Sequence, residues 1–333
     1  ARSETSVLVF QVLDDYGDPL VGETVVFELS TDVGGLSLSN DSDVSDAAGQ
    51  VQTTVRAGTV STHVRVHATL SGSDPLMTVA SDQMVISTGL PDQNSISLAA
   101  EFSNPEALLY NNQEVEISFQ AADHFNNFVP DGTMVYFTTE LGSIDESCIL
   151  EDGVCKVVWR SGNPRTSYCD DLNPACTPYW STVTAFLVGE ESFTDFNGNG
   201  YFDAGDAFDE ASDRAEPYRD DNENGQRDFW EPWWDFDADG DHDDQPNGIY
   251  NGSLCSEEAE AQGLCTRELV YVQDGYLILV LSDSFADITF TTNEVNLSGP
   301  GDSQVLNILI ADLNGNPMPF DSEVKLSTTN GKI

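Results

Sequence analysis

Twelve consecutive residues, DDNENGQRDFWE from Asp220 to Glu231, hold the most chemically specific arrangement in this sequence. A hard divalent cation such as calcium takes six to eight oxygen ligands. A twelve-residue loop can offer them from positions 1, 3, 5, 9 and 12 by side chain and from position 7 by main-chain carbonyl, with glycine at position 6 turning the chain. Asp220, Asn222, Asn224, Gln226, Asp228 and Glu231 fill those positions, and Gly225 is the sixth residue. DFNGNGYFDAGD repeats the set as Asp195, Asn197, Asn199, Tyr201, Asp203 and Asp206, where the shorter aspartate at position 12 predicts weaker closure. A third loop opens with Asp235, Asp237, Asp239, Asp241 and Asp243 around Gly240, but its twelfth residue is Pro246. Asp244 or a more distant carboxylate must then complete it. About two to four calcium ions are expected.

Residues 216–244 contain twelve carboxylates, two arginines and six aromatic rings: Tyr218, Phe229, Trp230, Trp233, Trp234 and Phe236. Carboxylates about 5 Å apart repel by roughly 1 kcal/mol per pair in a watery dielectric, and by several times more when partly buried. Such loops are expected to fold only around a cation, so that folding and metal binding form one equilibrium. The rings can then cover one another while a string of ions stands in for a core. The competing reading is a solvated acidic surface loop with no specific site. EPYRDDNENGQRDFW is followed by EPWWDFDADGDHDDQ, a 15-residue repeat in which Glu216 and Glu231 hold the same place. Glu231 both closes one loop and opens the next unit, and by analogy Glu216 is expected to complete the first loop. Pro232 opposes a helix leaving the Asp220 loop. The string therefore resembles thrombospondin type 3 repeats or the loop of a dockerin, a likeness confined to the loop. His242 in the third loop is expected to face solvent.

The whole chain is acidic. Against 58 Asp and Glu it has 12 Lys and Arg, a formal charge of −46 over 333 residues. Nucleic acid is excluded as a partner because phosphate binding needs clustered Lys and Arg, and docking on an anionic membrane is disfavoured likewise. No apolar run is long enough to span a bilayer. Six cysteines form three close pairs, Cys148/Cys155, Cys169/Cys176 and Cys255/Cys265. With no CxxC and no histidine near a pair, they read as disulfides of an oxidising compartment. An Asp-Gly turn between Cys148 and Cys155 suggests a staple across a hairpin. Cys255 and Cys265 would bracket a short helix with Ser256 as its N-cap and Gly263 as its stop. No GxSxG, HExxH or P-loop pattern occurs, so the sequence gives no sign of an enzyme.

The remaining sequence must position these loops. Short strand-like runs such as Val7–Leu13 and Thr24–Leu29 recur with turn signals about every ten residues, the pattern of an all-β sandwich. An internal repeat organises them. FQVLDDYGDPLVGETVVFELST, FQAADHFNNFVPDGTMVYFTTELGS and ILIADLNGNPMPFDSEVKLSTTNGKI each place a strand before an aspartate, a Gly/Asn turn and a second strand. Asp14, Asp123 and Asp312 are equivalent, and the second interval is about 80 residues longer than the first. The boundaries are set at 1–90 for one module, 91–292 for a second, and 293–333 for the start of an incomplete third. The extra length falls at about 190–270, where a hairpin already holds both ends together. Because Ala1 runs straight into strand-like sequence, a longer natural chain is expected. The fold class is thus all-β: tandem immunoglobulin-like sandwiches with an irregular calcium-binding insertion in the second.

The run D-x-x-G-N-P-x-P before a β-rich strand, seen from Asp312 to Pro319 and in degraded form after Asp14 and Asp123, resembles the bacterial immunoglobulin-like modules of invasin/intimin-type surface proteins. That resemblance covers about three quarters of the chain and leaves out the insertion. It implies tandem rods on a bacterial exterior, with an adhesive or stalk role and a protein or glycan surface as partner. Two alternatives are a structural filament subunit, in which copies of the chain pack together, and a carbohydrate-binding or hydrolytic exoprotein whose tryptophans stack on sugar rings.

Overall fold

The computed structural model describes residues 5–58, 62–86, 89–163, 165, 179–242, 247–273, 275–291, 294 and 299–328. Apart from two 3-10 turns and one helix of five residues, its regular structure is all strand. No helix among the described residues is long and apolar enough to cross a membrane.

The first sandwich uses β1 (Thr5–Gln11), β2 (Thr24–Leu29), β3 (Ser37–Leu38), β4 (Ser42–Val44), β5 (Gln50–Arg56), β6 (Thr62–Val64), β7 (Val66–Leu70), β8 (Thr78–Ala80) and β9 (Met84–Ile86). They pair as β1-β5-β3 and as β4-β2-β7-β8, with β6 on β9. The period of two sets which faces meet. In β5, Val51, Thr53 and Val55 point inward while Gln50 and Gln52 face water. Val25, Phe27, Val66 and Ala68 complete the core from the opposite sheet, with Val64 of β6 beside them.

The second sandwich repeats the plan with β10 (Ile96–Ala100), β11 (Glu114–Ala121), β12 (Met134–Thr139), β13 (Ser143–Ile144), β14 (Ser147–Ile149), β15 (Val154–Arg160) and β16 (Trp180–Gly189). After β16 the chain leaves through the insertion, which carries β17 (Tyr250–Asn251), α1 (Glu257–Ala261) and β18 (Cys265–Thr266). It returns as β19 (Val270–Gln273) and β20 (Leu277–Val280). The sheets are β10-β11-β15-β13 and β14-β12-β16-β19, with β20 also on β16. Trp159, Phe119, Ile117 and Leu187 fill the core between them. Beyond it, β21 (Ala286–Phe290) pairs antiparallel with β22 (Ile308–Asp312), apart from both sheets of the second sandwich.

The three repeat aspartates do the same work. Asp14 Oδ1 accepts from the main-chain N–H groups of Tyr16 and Asp18, Asp123 Oδ1 from Phe125 and Asn127, and Asp312 Oδ1 from Asn314 and Asn316. A short carboxylate that bonds its own backbone two and four residues on fixes a turn before the next strand. Register makes the strands themselves equivalent. Phe27 lies opposite Ala68 in β2–β7, and Phe137 opposite Ala185 in β12–β16. β6 and β7 together therefore correspond to the single long β16, β8 to β19, and β9 to β20. The insertion replaces the turn between β7 and β8.

Cys148 and Cys155 are bonded, as are Cys255 and Cys265. The Asp152-Gly153 turn is the tight hairpin turn expected, with Glu151 and Val154 exchanging both main-chain bonds, but beyond it β14 pairs with β12 in one sheet and β15 with β11 in the other. The Asp152-Gly153 turn carries the chain between layers, so this disulfide ties the two sheets together at an edge. Cys169 and Cys176 lie outside the described residues.

Candidate metal centre

The loops sit on a prepared surface. Along β16, Val183, Ala185 and Leu187 face the sandwich core, and the alternate residues Thr182, Thr184 and Phe186 are buried as well, beneath the insertion. Trp234 packs on Phe186 at 4.6 Å between ring centroids, and Phe236 meets Tyr271 of β19 edge-on at 4.8 Å. Thr182 Oγ1 donates to the Asp220 carbonyl at 2.8 Å. Arg219 forms a two-pronged pair with Asp221 and reaches Thr138 Oγ1 at 2.8 Å and the Thr139 carbonyl at 2.7 Å on β12. Buried Arg–carboxylate pairs are held by geometry as much as by charge, and here the pair anchors one end of the Asp220 loop to the sheet.

The insertion has a core of its own, contrary to the expectation of ions in place of one. Phe193, Phe202, Tyr250, Leu254, Ala259 and the Cys255–Cys265 bond are buried together. α1 is capped as expected, with Ser256 accepting from the Ala259 N–H, and Gly263 follows its end at a φ of 70°. The rings do not simply cover one another. Trp234 and Phe236 cover the sheet, Tyr218 and Trp233 flank His242, and Phe229 is 91% and Trp230 41% exposed.

Within the loops, equivalent positions make equivalent bonds. Position 1 takes main-chain N–H groups onto both carboxylate oxygens: Asp195 from Gly198 and Gly200, Asp220 from Asn224 and Gly225, Asp235 from Ala238 and Gly240. The sixth-position glycines have φ values of 78°, 77° and 90°, the left-handed conformation that only glycine adopts freely. In the first two loops the asparagine amides of positions 3 and 5 both donate to the aspartate of position 9. Asn197 and Asn199 reach Asp203 Oδ2, and Asn222 and Asn224 reach Asp228 Oδ2, all within 2.7–3.0 Å. Position 12 closes the turn across its mouth. Asp206 accepts from the N–H groups of Phe196 and Asp203 at 2.9 and 3.0 Å, and Glu231 from Asp221 and Asp228, both at 2.8 Å. The aspartate of the first loop reaches as far as the glutamate of the second.

The third loop is closed differently. Its ninth residue, Asp243, lies outside the described residues, as do Asp244 and Pro246. Glu216 Oε1 accepts the N–H of Phe236, the loop's second residue, at 2.6 Å. Glu216, Asp235 and Asp237 bring carboxylate oxygens within 4.8 Å of one another. Among the described residues Glu216 thus bonds the third loop as Glu231 bonds the second, while Asp206 bonds the first. His242 corrects another expectation. Its Nε2 lies 3.1 Å from the Glu216 carbonyl oxygen and its ring meets Tyr218 and Trp233, so it is built into the pair of repeats.

Electrostatics explains why these groups resist crowding. Burial, with Asp220 and Asp221 nearby, pushes the Glu231 carboxyl up to about 7 despite its main-chain bonds. Burial also raises Glu223 to about 7, beside Asp220, and Glu140 of the underlying sheet to about 8, beside Asp221. Of the neighbouring cations, Arg219 is engaged with Asp221, and Arg227 lies over the Trp233 ring at 5.5 Å. Oxygen donors from side chains and main chain, arranged around a glycine turn, fit a hard cation better than a soft one.

Sequence reasoning missed the insertion's root. Asp92, in the stretch before β10, accepts from Ser192 Oγ at 2.6 Å and lies 3.1 Å from His124 Nδ1, while His124 stacks on Phe193 at 4.5 Å. Glu190 and Glu191, both buried, take Ser253 and Asn251 N–H groups respectively. The run Gly189-Glu190-Glu191-Ser192 was a visible signal, since two adjacent acids directly after a long apolar strand need partners.

No family model matches this sequence, and no curated protein sequence matches it. Solved structures do. The D0–D1 domain of intimin is similar at 17% identity and a TM-score of 0.25, covering 55% of this chain and 83% of that one. InvD of Yersinia pseudotuberculosis is similar at 21% identity and a TM-score of 0.29, covering 56% of this chain and 48% of its own. Invasin, described as a bacterial integrin-binding protein, matches over 96% of this chain and 48% of its own at 14% identity and a TM-score of 0.28. The chain thus spans about half the length of InvD and of invasin. The fold itself rests on the strand pairing described above.

Proposed function

We propose that this chain is a non-catalytic stalk or adhesin segment of a bacterial cell surface, in which immunoglobulin-like sandwiches supply reach and calcium locks a protruding insertion onto the second. The carrying observation is the Asp220 loop. There Asn222 and Asn224 both donate to Asp228, Asp220 and Glu231 hold the loop's own N–H groups, and Thr182 and Arg219 fix the loop to β16 and β12. Asp220, Asn222, Asn224, Asp228 and Glu231, with the Gln226 carbonyl, would hold one ion. Asp195, Asn197, Asn199, Asp203 and Asp206, with the Tyr201 carbonyl, would hold a second. Asp235, Asp237, Asp239 and Glu216, with the Asp241 carbonyl, would hold a third. The ion supplies charge neutralisation and a rigid cross-link, and the protein residues do the rest by fixing loop shape.

With calcium in place the insertion presents Phe229 and Trp230 at its surface. Exposed aromatics beside a rigid anchor suit contact with a protein or glycan surface. The test is limited proteolysis and calorimetry with calcium and with chelator. Cleavage within 190–269 only after chelation is the expected result, and identical digestion in both conditions would remove calcium from the proposal.

A further inference from the structure

We propose that the Asp220 and Asp235 loops bind calcium as a coupled pair, because each is completed by the glutamate that begins the other's repeat unit. This rests on the calcium reading above and adds a regulation that reading does not contain. The two 15-residue units are related by a local two-fold exchange. Tyr218 and Trp233 form an antiparallel bridge. Around it, Arg219 N–H donates to the Pro232 carbonyl at 2.9 Å and Trp234 N–H to the Pro217 carbonyl at 3.0 Å. Adding 15 to the donor's number and subtracting 15 from the acceptor's turns one bond into the other, so donor and acceptor units are exchanged. The closing glutamates obey the same exchange. Glu231, first residue of the second unit, accepts from Asp221 in the first, and Glu216, first residue of the first unit, accepts from Phe236 in the second. Asp221 and Phe236 are again 15 residues apart.

The reciprocity is enforced by backbone. Glu216 and Glu231 stand directly before Pro217 and Pro232, whose fixed φ and whose carbonyls set the bridge. An ion that draws Glu231 into the Asp220 loop therefore pulls Pro232–Trp234 into register, and this same strand places Glu216 against the Asp235 loop. His242 reinforces the coupling, since it touches the Glu216 carbonyl and both bridge rings. The Asp195 loop stands outside this exchange. Its own Asp206 closes it, and its flanks bridge each other through Thr194 and Ala207. Two coupled sites and one independent site follow.

Calcium titration of the whole chain by calorimetry, with Trp fluorescence reporting the bridge at Trp233, tests this. The expected wild-type result is one independent ion and two that bind with a Hill coefficient above 1. Glu216→Gln, at a position outside the Asp220 loop, is expected to weaken binding at that loop about tenfold as well as at its own. Asp235→Asn should do the same without touching either glutamate, and Asp206→Asn should spare the pair. If Glu216→Gln and Asp235→Asn each remove one ion while the Asp220 loop keeps its wild-type affinity, the coupling is wrong and the calcium reading survives. If the wild-type chain binds no calcium, the reading beneath it fails.

Discussion

The same strand lives in two environments in this molecule. β7 of the first sandwich and β16 of the second hold the same register against their neighbours, so Arg65, His67 and Thr69 correspond to Thr182, Thr184 and Phe186. In the first sandwich those positions face water or are half buried, and the turn to β8 is the short run Ser71–Met77. In the second they are buried beneath residues of the 190–269 insertion. A sandwich needs only its inner face to fold. The outer face of β16 is therefore free to serve as a platform, and it carries a threonine pair and a phenylalanine where the first sandwich has Arg65, His67 and Thr69. Removing what covers it should separate the two sandwiches experimentally.

The largest effect is expected from calcium removal. A ligand held only by the native state stabilises it by about 2.7 kcal/mol per site at a hundredfold excess over Kd. Chelator should therefore lower the melting transition of the second sandwich and its insertion while leaving the first sandwich's transition in place. Differential scanning calorimetry of the whole chain reads both. Equal shifts in the two transitions would mean that the ions act elsewhere.

Next comes Arg219→Ala. It leaves Asp221 buried without its partner and strips two bonds from β12, a change of the kind that costs about 3–5 kcal/mol. The double variant Arg219→Ala/Asp221→Ala should recover part of that loss, because the orphaned charge goes with its partner. A double variant as unstable as the single one would show that the arginine acts through packing alone. Smaller still is Phe186→Thr, which gives β16 the residue that β7 carries at Thr69. Loss of the Trp234 contact should cost about 2–4 kcal/mol and release the acidic repeats to protease, with the sandwich core intact. The reverse change, Thr69→Phe, has nothing above it to pack against and should leave Tm almost unmoved.

These variants also show what the sequence made legible. The glycine turns and internal hydrogen bonds of the loops and the turn role of Asp14, Asp123 and Asp312 could be read because both are local: each residue's partner lies within a dozen positions. The insertion's place between the last strands was legible from the interval between repeats. Three features were not, and all are long-range. Glu216 lies 20 residues from the N–H it accepts, so analogy assigned it to the preceding loop rather than the one across the bridge. The Asp152-Gly153 turn itself was legible, but not that the strands on either side of it join different sheets, which makes Cys148–Cys155 a link between layers. The aromatics among the acids were read as covering each other because nothing local reveals that β16 offers them a second surface.

The smallest effect, and the one that sharpens the comparison most, is the pH dependence of the insertion's root. Glu190 is fully buried. One of its oxygens takes the Ser253 N–H and hydroxyl, and the other has no partner among the described residues. Burial raises its carboxyl to about 7, Asp92 adding to the shift while the Ser253 bonds and His124 oppose it, and burial raises Glu191 to about 7 also. For His124 burial works downward, but Asp92, Glu190 and Asp123 outweigh it, and its pKa is raised. A group whose folded pKa lies above its unfolded value stabilises fully below the unfolded value and loses that contribution as pH rises through the folded one. All three groups therefore act in the same direction, and the root weakens as pH climbs from about 5 to 8. Where His124 and Glu190 are both charged they stabilise each other, so the fall in Tm of the second transition over this window should be smaller than three separate titrations would give. The first sandwich has no equivalent of this cluster at its β7–β8 turn, so its transition should move less over the same range. Glu190→Gln keeps the shape of the neutral acid and should flatten the second transition, measured with calcium saturating at every pH. If the variant keeps the full wild-type slope, the titration belongs to Glu140 under the Asp220 loop, whose carboxyl burial lifts to about 8.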